Sequence, residues 1–368
     1  MERKYPKREV LFKRRIRSAH PLRPFSHIPG DRCMIPGSIF RLTAHPVRFE
    51  IADIRGRGTP ILFLLRMTGP VGGYTLMQEI EEESVLVYGS AKEGYFAFRI
   101  AVRGGALLLI VDRCPEEGLP FSFPDAEVRL RRKERYALKE LPPSVKEGAF
   151  TEREKLDFGC YKKQDWSFVR RRLLLREILP FWFALGVRSP PVSPHYSGTA
   201  SLLAELREEV GNRERERIAG TFLRLFSAGF GGMLVPRLHD DTYQGIVSTT
   251  EMLPDPSPEV LLTTGAELMR SLFISSHDRI LSLLPSLPVA LHAGSLVNVR
   301  IADELVVDMR WSKKRLRLLV IRALKSGSWQ FDLPRPCSRF RMNGVDRKGG
   351  EPLLLEAGVR YFSDRFFP

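Results

Sequence analysis

Cysteine is scarce in this chain. The 368 residues hold four, Cys33, Cys114, Cys160 and Cys337, all far apart. No CxxC pair and no metal-ligand spacing occurs, so neither a disulfide framework nor a structural zinc site is expected. Free, mostly buried thiols in a reducing, cytoplasmic compartment fit that pattern. Long apolar runs are missing too. No stretch reaches the roughly 18 apolar residues of a membrane-crossing helix. Met1 to Arg23 is basic but has no apolar segment of the secretory type. The P-loop, GxGxxG, HExxH and GxSxG patterns are all absent, so no cofactor and no metal are expected. Gly229-Phe230-Gly231-Gly232 lacks the preceding strand and the lysine of a phosphate loop.

Acidic residues are the minority. Lys and Arg number 58 against 43 Asp and Glu, a formal charge of +15. Residues 1–32 hold ten basic and three acidic side chains, and residues 289–368 hold fifteen and eight. The surplus is therefore not confined to one tail. It is compatible with solvated charged faces, and also with a surface for nucleic acid or another polyanion.

Hydrophobic periodicity divides the chain into an arm and three parts, an α+β multidomain arrangement. Residues 1–36 read as a basic, irregular arm. Residues 37–141 read as a β-sandwich. Val47 to Ile51 and Glu127 to Arg131 alternate with period two. Ile61 to Leu65 is a continuous apolar run, as in a strand buried on both faces. Tyr95 to Val102, Gly104-Gly105 and Ala106 to Val111 spell a hairpin. Pro142-Pro143 marks a linker.

Residues 142–288 carry helical spacing. Trp166, Val169, Leu173 and Leu174 recur at that period, as do Leu202, Leu203, Leu206 and Val210, then Ile218, Phe222, Leu225 and Phe226. A further helix is expected over about Glu259 to Ser275. Three consecutive arginines, Arg170 to Arg172, cover most of a helix circumference. One of them should therefore turn inward, toward Glu152, Glu154 or Asp157. Residues 289–368 return to period two, with strands at Leu296 to Ile301, Leu305 to Trp311 and Leu316 to Ile321. Trp329 to Leu333 and Leu353 to Glu356 extend that sheet. Trp311 should be partly buried against the preceding helix, with the Leu281 to Leu291 crossing along the seam.

The last third holds the most specific pattern. Gly265-Ala-Glu-Leu-Met-Arg-Ser-Leu-Phe-Ile-Ser-Ser-His-Asp278 leads into Leu283-Leu-Pro-Ser-Leu-Pro288. Gly294-Ser-Leu-Val-Asn-Val-Arg-Ile-Ala-Asp-Glu-Leu-Val-Val-Asp-Met-Arg-Trp311 follows. This stretch, Gly265 to about Ala323, resembles the junction between the helical barrel and the C-terminal β domain of glycoside hydrolase family 95, the α-L-fucosidases and their relatives. The β, α, β order of the regions agrees with that family's order of domains.

The resemblance implies a six-hairpin α/α barrel, but length argues against a complete one. Twelve helices of about 11–12 residues, with connections of about 4–6, need roughly 180–215 residues. Thr151 to Pro288 falls well short and has room for about five or six helices of ordinary length, a partial barrel.

The chemistry implied by the family is also displaced. Inverting hydrolysis needs two carboxyl groups about 6.5–9.5 Å apart. In the family an Ile-Asp-Gly-Asn-Phe-Gly-Gly motif precedes the last barrel helix. Here its Asp falls on Val260 and its Asn on Leu262. Glu259 is the nearest carboxylate, and beside Pro258 it also suits the first turn of a helix. Pro190-Pro191-Val192-Ser193-Pro194-His195-Tyr196 is similar to the family's Ser-Pro-Glu-Asn loop, with His195 in the place of the acid.

Residues outside those motifs supply the other candidates. Arg237, His239, Asp240, Asp241, Tyr243 and Gln244 lie in one loop and suit hydrogen bonding to sugar hydroxyls. Asp240 and Asp241 are the acids available there for catalysis, beside Glu259; equally, either can serve a turn. Gln164 and Asp165 could bond hydroxyls and Trp166 could stack on a ring, or Asp165 could open a helix and Trp166 pack inside.

Three functions follow from this reading. The first is a glycoside-hydrolase-like protein without a complete catalytic site, a pseudoenzyme that binds carbohydrate or acts as a scaffold. The second is an active fucosidase- or galactosidase-type enzyme completed by another chain. The third is a basic module for nucleic acid or other polyanions.

Overall fold

The computed structural model describes residues 16, 21–141, 153–159, 164–241 and 254–368. Pro142-Pro143, Cys160, Glu152, Tyr243 and Gln244 lie outside them. Strand dominates, as the periodicity of both ends leads one to expect.

The first region is built from two antiparallel six-stranded sheets. One orders Phe25–Ser26, Gly72–Glu79, Ser84–Ala91, Gly94–Arg103, Ala106–Arg113 and Arg135–Glu140. The other orders Glu127–Leu130, Leu119–Ser122, Ile61–Leu65, Arg48–Asp53, Phe40–Ala44 and Asp31–Met34. Phenylalanines join their inner faces. Phe98 meets Phe49 edge-on at 5.2 Å and Phe121 at 5.3 Å, while Phe49 stacks on Phe63 at 5.0 Å. Such aromatic pairs add to the burial of their area and fix how the sheets mate.

Some local expectations are revised here. The arm contributes strands, since Phe25–Ser26 and Asp31–Met34 each extend a sheet. Ile61–Leu65 is not buried on both faces, because Leu62 is 39% exposed. Gly94–Arg103 fits that description better: Phe96, Phe98 and Ile100 are buried on one face, and Ala97 and Ala101 on the other. The Gly104-Gly105 turn has both residues at positive φ, the geometry of a two-residue hairpin.

Five α-helices occur among the described residues: α1 Trp166–Arg172, α2 Leu175–Gly186, α3 Ser201–Gly211, α4 Arg215–Gly229 and α5 Val260–Phe273. The helical spacing that runs through Leu173 and Leu174 does not mark one helix. Leu173 turns left-handed at φ 50°, ends α1, and both leucines are exposed. Arg170, Arg171 and Arg172 all face solvent. Arg172 pairs with Glu177 at 2.7 Å, and Glu154 takes Arg270 instead. A helix as short as α1 leaves its whole polar side in water.

The C-terminal β region begins at Ile274, immediately after α5. A four-stranded sheet orders Ile274–His277, Ile280–Leu283, Gly327–Asp332 and Leu353–Leu355. Ile280–Leu283 and Gly327–Asp332 run parallel. The Leu281 to Leu291 crossing is therefore partly strand, and the Ser-His-Asp exit is a tight turn with Asp278 and Arg279 at positive φ.

A seven-stranded antiparallel sheet orders Lys155–Asp157, Gly294–Ile301, Leu305–Ser312, Arg315–Ala323, Arg360–Phe367, Arg339–Met342 and Val345–Lys348. Trp311 is fully buried rather than partly so. It stacks on Phe273 of α5 at 4.7 Å and donates from Nε1 to Leu291 O at 2.8 Å. One apolar run of the helix end thus anchors the sheet.

Candidate functional site

Three loops that are distant in sequence meet at one end of the helices. The loop before α3 is tied to the loop after α4: Thr199 N donates to Leu238 O at 2.9 Å and Thr199 Oγ1 to Arg237 O at 2.7 Å. The same loop before α3 reaches the entry to α5. His195 Nε2 lies 3.0 Å from Ser257 O and 3.1 Å from Ser257 N. The loops that carry His195, Arg237 with Asp240, and Glu259 are therefore tied into one cluster of loops, though the sequence separates them.

Both buried carboxylates of the cluster are held by arginine. The Asp240 side chain is almost fully enclosed and accepts from Arg237 at 3.3 Å. Arg237 also donates to Ala228 O at 3.0 Å and Ser227 O at 3.2 Å, closing the C-terminal carbonyls of α4. Glu259 is 0% exposed. Its Oε1 accepts from Arg55 at 2.8 and 2.7 Å, and its Oε2 accepts from Ser257 Oγ at 2.5 Å. Arg55 comes from the turn after Arg48–Asp53, so this pair joins the sandwich to α5. Arg57 and Asp255 form a second, exposed pair across the same seam. Glu259 precedes α5 but makes no side-chain cap bond to it. The charge is turned toward Arg55, not toward the helix dipole.

Among the described residues of this loop, His239 and Asp241 are exposed, and His195 is half-buried beside Tyr196. The Tyr196 ring lies 5.9 Å from the Arg207 guanidinium. This rim has donors and acceptors for hydroxyl groups. Arg55 is the member that sequence reasoning missed. Its partner is 204 positions away, and no local signal marks it.

The second candidate group sits elsewhere. Asp165 opens α1, accepting from Ser167 N at 2.9 Å and Ser167 Oγ at 2.8 Å. Trp166 is 1% exposed, packs edge-on against Phe181 and Phe226, and donates to Gly232 O. Gln164 binds the backbone of Pro21 and Arg23. Gly232 follows the same packing logic. It is left-handed at φ 48°, and a Cβ there would strike Arg32 O. Asp165→Ala should cost about 1 kcal/mol of stability through loss of the cap, read as a shifted urea midpoint at constant slope. A loss of zero would contradict the capping role.

Among the described residues, no three His, Cys, Asp or Glu side chains are grouped to hold a metal ion. No helix among them is long and apolar enough to cross a membrane.

Comparison with known families places one stretch. Residues 275–349 match the model of the glycoside hydrolase family 95 C-terminal domain. That is the four-stranded sheet except its last strand, together with much of the seven-stranded sheet. No curated protein matches the chain. The relationship to glycosidases thus rests on the C-terminal β region.

Proposed function

We propose that this is a glycosidase-like protein that binds carbohydrate or scaffolds an assembly without hydrolysing glycosides. The helices are read as a reduced form of the family's barrel. The observation that supports the reading most is the pairing of Asp240 and Glu259 with arginines inside the cluster. A general acid must reach the glycosidic oxygen, and a general base must reach water. Glu259, enclosed on every side, reaches neither. Binding has no such requirement, and His239, Asp241 and His195 at the rim suit it. The thiols of Cys33, Cys114 and Cys337 are free, which fits a cytoplasmic setting.

The test pairs turnover with binding. The purified chain is expected not to hydrolyse aryl α-fucosides or α-galactosides over days. Losing one general acid or base costs about 10²–10⁴-fold. Fucose and galactose should bind, measured by calorimetry. His239→Ala with Asp241→Ala should weaken that binding about tenfold, the scale of one hydrogen bond to a charged group. Turnover by the chain alone would overturn the non-hydrolytic reading, and unchanged binding in the double variant would remove this rim from the site.

A further inference from the structure

The seven-stranded sheet opens between two of its central strands. Arg315–Ala323 and Arg360–Phe367 pair from Leu319 with Ser363 to Arg322 with Arg360. Beyond Leu319 the ladder stops. A cavity of about 250 Å³ lies there, lined by residues 315–317 and 364–368 of the two strands, with Pro336 and Cys337 at its side. On its other edge the wedge is closed, since Ser338 N donates to Phe367 O at 2.8 Å.

Three guanidinium groups line this wedge: Arg315, Arg317 and Arg365. None has a carboxylate partner among the described residues. Arg317 sits at a bulge of its strand, where Trp311 pairs with Leu316 and Arg310 with Leu318, and it donates from Nε to Ser312 Oγ at 3.0 Å. All three are exposed at the rim of the cavity, and guanidinium groups without a carboxylate partner favour an anion. Asp364 is held in a fork by Arg341, at 2.8 and 2.9 Å from one guanidinium nitrogen. Pro368 also lines the cavity.

The rest of the lining is apolar. Leu316, Phe366, Phe367 and Pro336 supply it. Phe366 is fixed by stacking on Phe340, 6.4 Å away with rings 16° apart. A bare inorganic anion would leave that surface unused. Drug-sized ligands take about 300–1,000 Å³, so this space suits something smaller. A nucleic-acid strand calls for a groove that follows its backbone, not one short wedge.

We propose that the wedge is a binding site for a sugar-sized ring bearing one sulfate or carboxylate group. The oxyanion takes charge-assisted bonds from the arginines of the lining, Arg315, Arg317 and Arg365. The ring rests on the phenylalanine and proline surface. The site is remote in sequence from the loop cluster and does not depend on it. Cys337 gives it a built-in reporter. Burial raises its thiol pKa, and the nearby Arg315 and Arg317 act the other way.

Glucuronate, glucose 6-sulfate and neutral glucose serve as probes, with a single-stranded oligonucleotide as the competing class. Calorimetry on the full chain should show binding of one or both anionic sugars and none of glucose; which binds separates carboxylate from sulfate. R317Q with R365Q should weaken binding about tenfold or more. Maleimide labelling of Cys337, followed by peptide mass, should slow when the bound sugar is present. That readout needs no variant, so a misfolded double variant leaves the question decidable. Equal binding of glucose, no protection of Cys337, or binding of the oligonucleotide alone would each overturn the proposal.

Discussion

Arg55→Ala should destabilise the chain by about 3–5 kcal/mol, the usual cost of stranding one partner of a buried ion pair. Glu259 has no exposure and takes two guanidinium contacts from Arg55. The Ser257 hydroxyl would remain, but one neutral donor does not replace a charge in a dry site. Equilibrium urea unfolding measures the effect. Glu259→Gln in the same background should recover much of it, because the stranded charge is gone. A single variant that loses under 1 kcal/mol, or a double variant no better than the single, would show that the pair does not hold the seam.

Trp182→Ala should cost about as much, about 3–5 kcal/mol, through the cavity left in the helical layer. The indole is fully buried in α2 and meets Phe230 at 4.7 Å and Phe222 at 5.8 Å. Its Nε1 donates to Leu261 O at 2.8 Å, so the ring is also pinned to α5. Gly265 makes this possible: a Cβ there would stand 2.7 Å from the ring. Gly265→Ala is the complementary change, an overpacking expected to cost about 1–3 kcal/mol. Calorimetric unfolding of both variants checks the pair of values. A Trp182→Ala protein as stable as the parent would mean that α2 and α5 are held by something other than this ring.

Much of the fold could be read locally because its signals are local. Gly104-Gly105 turns with positive φ at both positions and fixes the register of the strands on either side. The helices α3, α4 and α5 follow the spacing of their leucines and phenylalanines, which are buried as that spacing requires. Period alone failed where one residue changes direction. Leu173 continues the apolar pattern of α1 but adopts a left-handed turn.

The candidate cluster was legible only in pieces. His195, Asp240 and Glu259 can be picked out one by one as polar residues in unusual loops. Their assembly depends on Thr199 and Ser257, ordinary residues whose hydrogen bonds span 38 and 62 positions. Arg55 is one arginine in a chain rich in them. Nothing in its neighbourhood says that it answers a glutamate in another region. Pairings of this kind are set by how the layers dock, not by composition or period.

The seven-stranded sheet bears on how this molecule can be divided. Its strand Arg360–Phe367 lies between Arg315–Ala323 and Arg339–Met342, and its edge strand Lys155–Asp157 comes from before α1. The stretch that matches the family, residues 275–349, contains neither. Excised by itself it would expose the ladders on both sides of a missing inner strand, with no water-free partner for those backbone groups. The segment that carries the match is therefore expected not to fold by itself. A shortened version of the protein should keep Lys155–Asp157 and Arg360–Phe367 together with the strands between them.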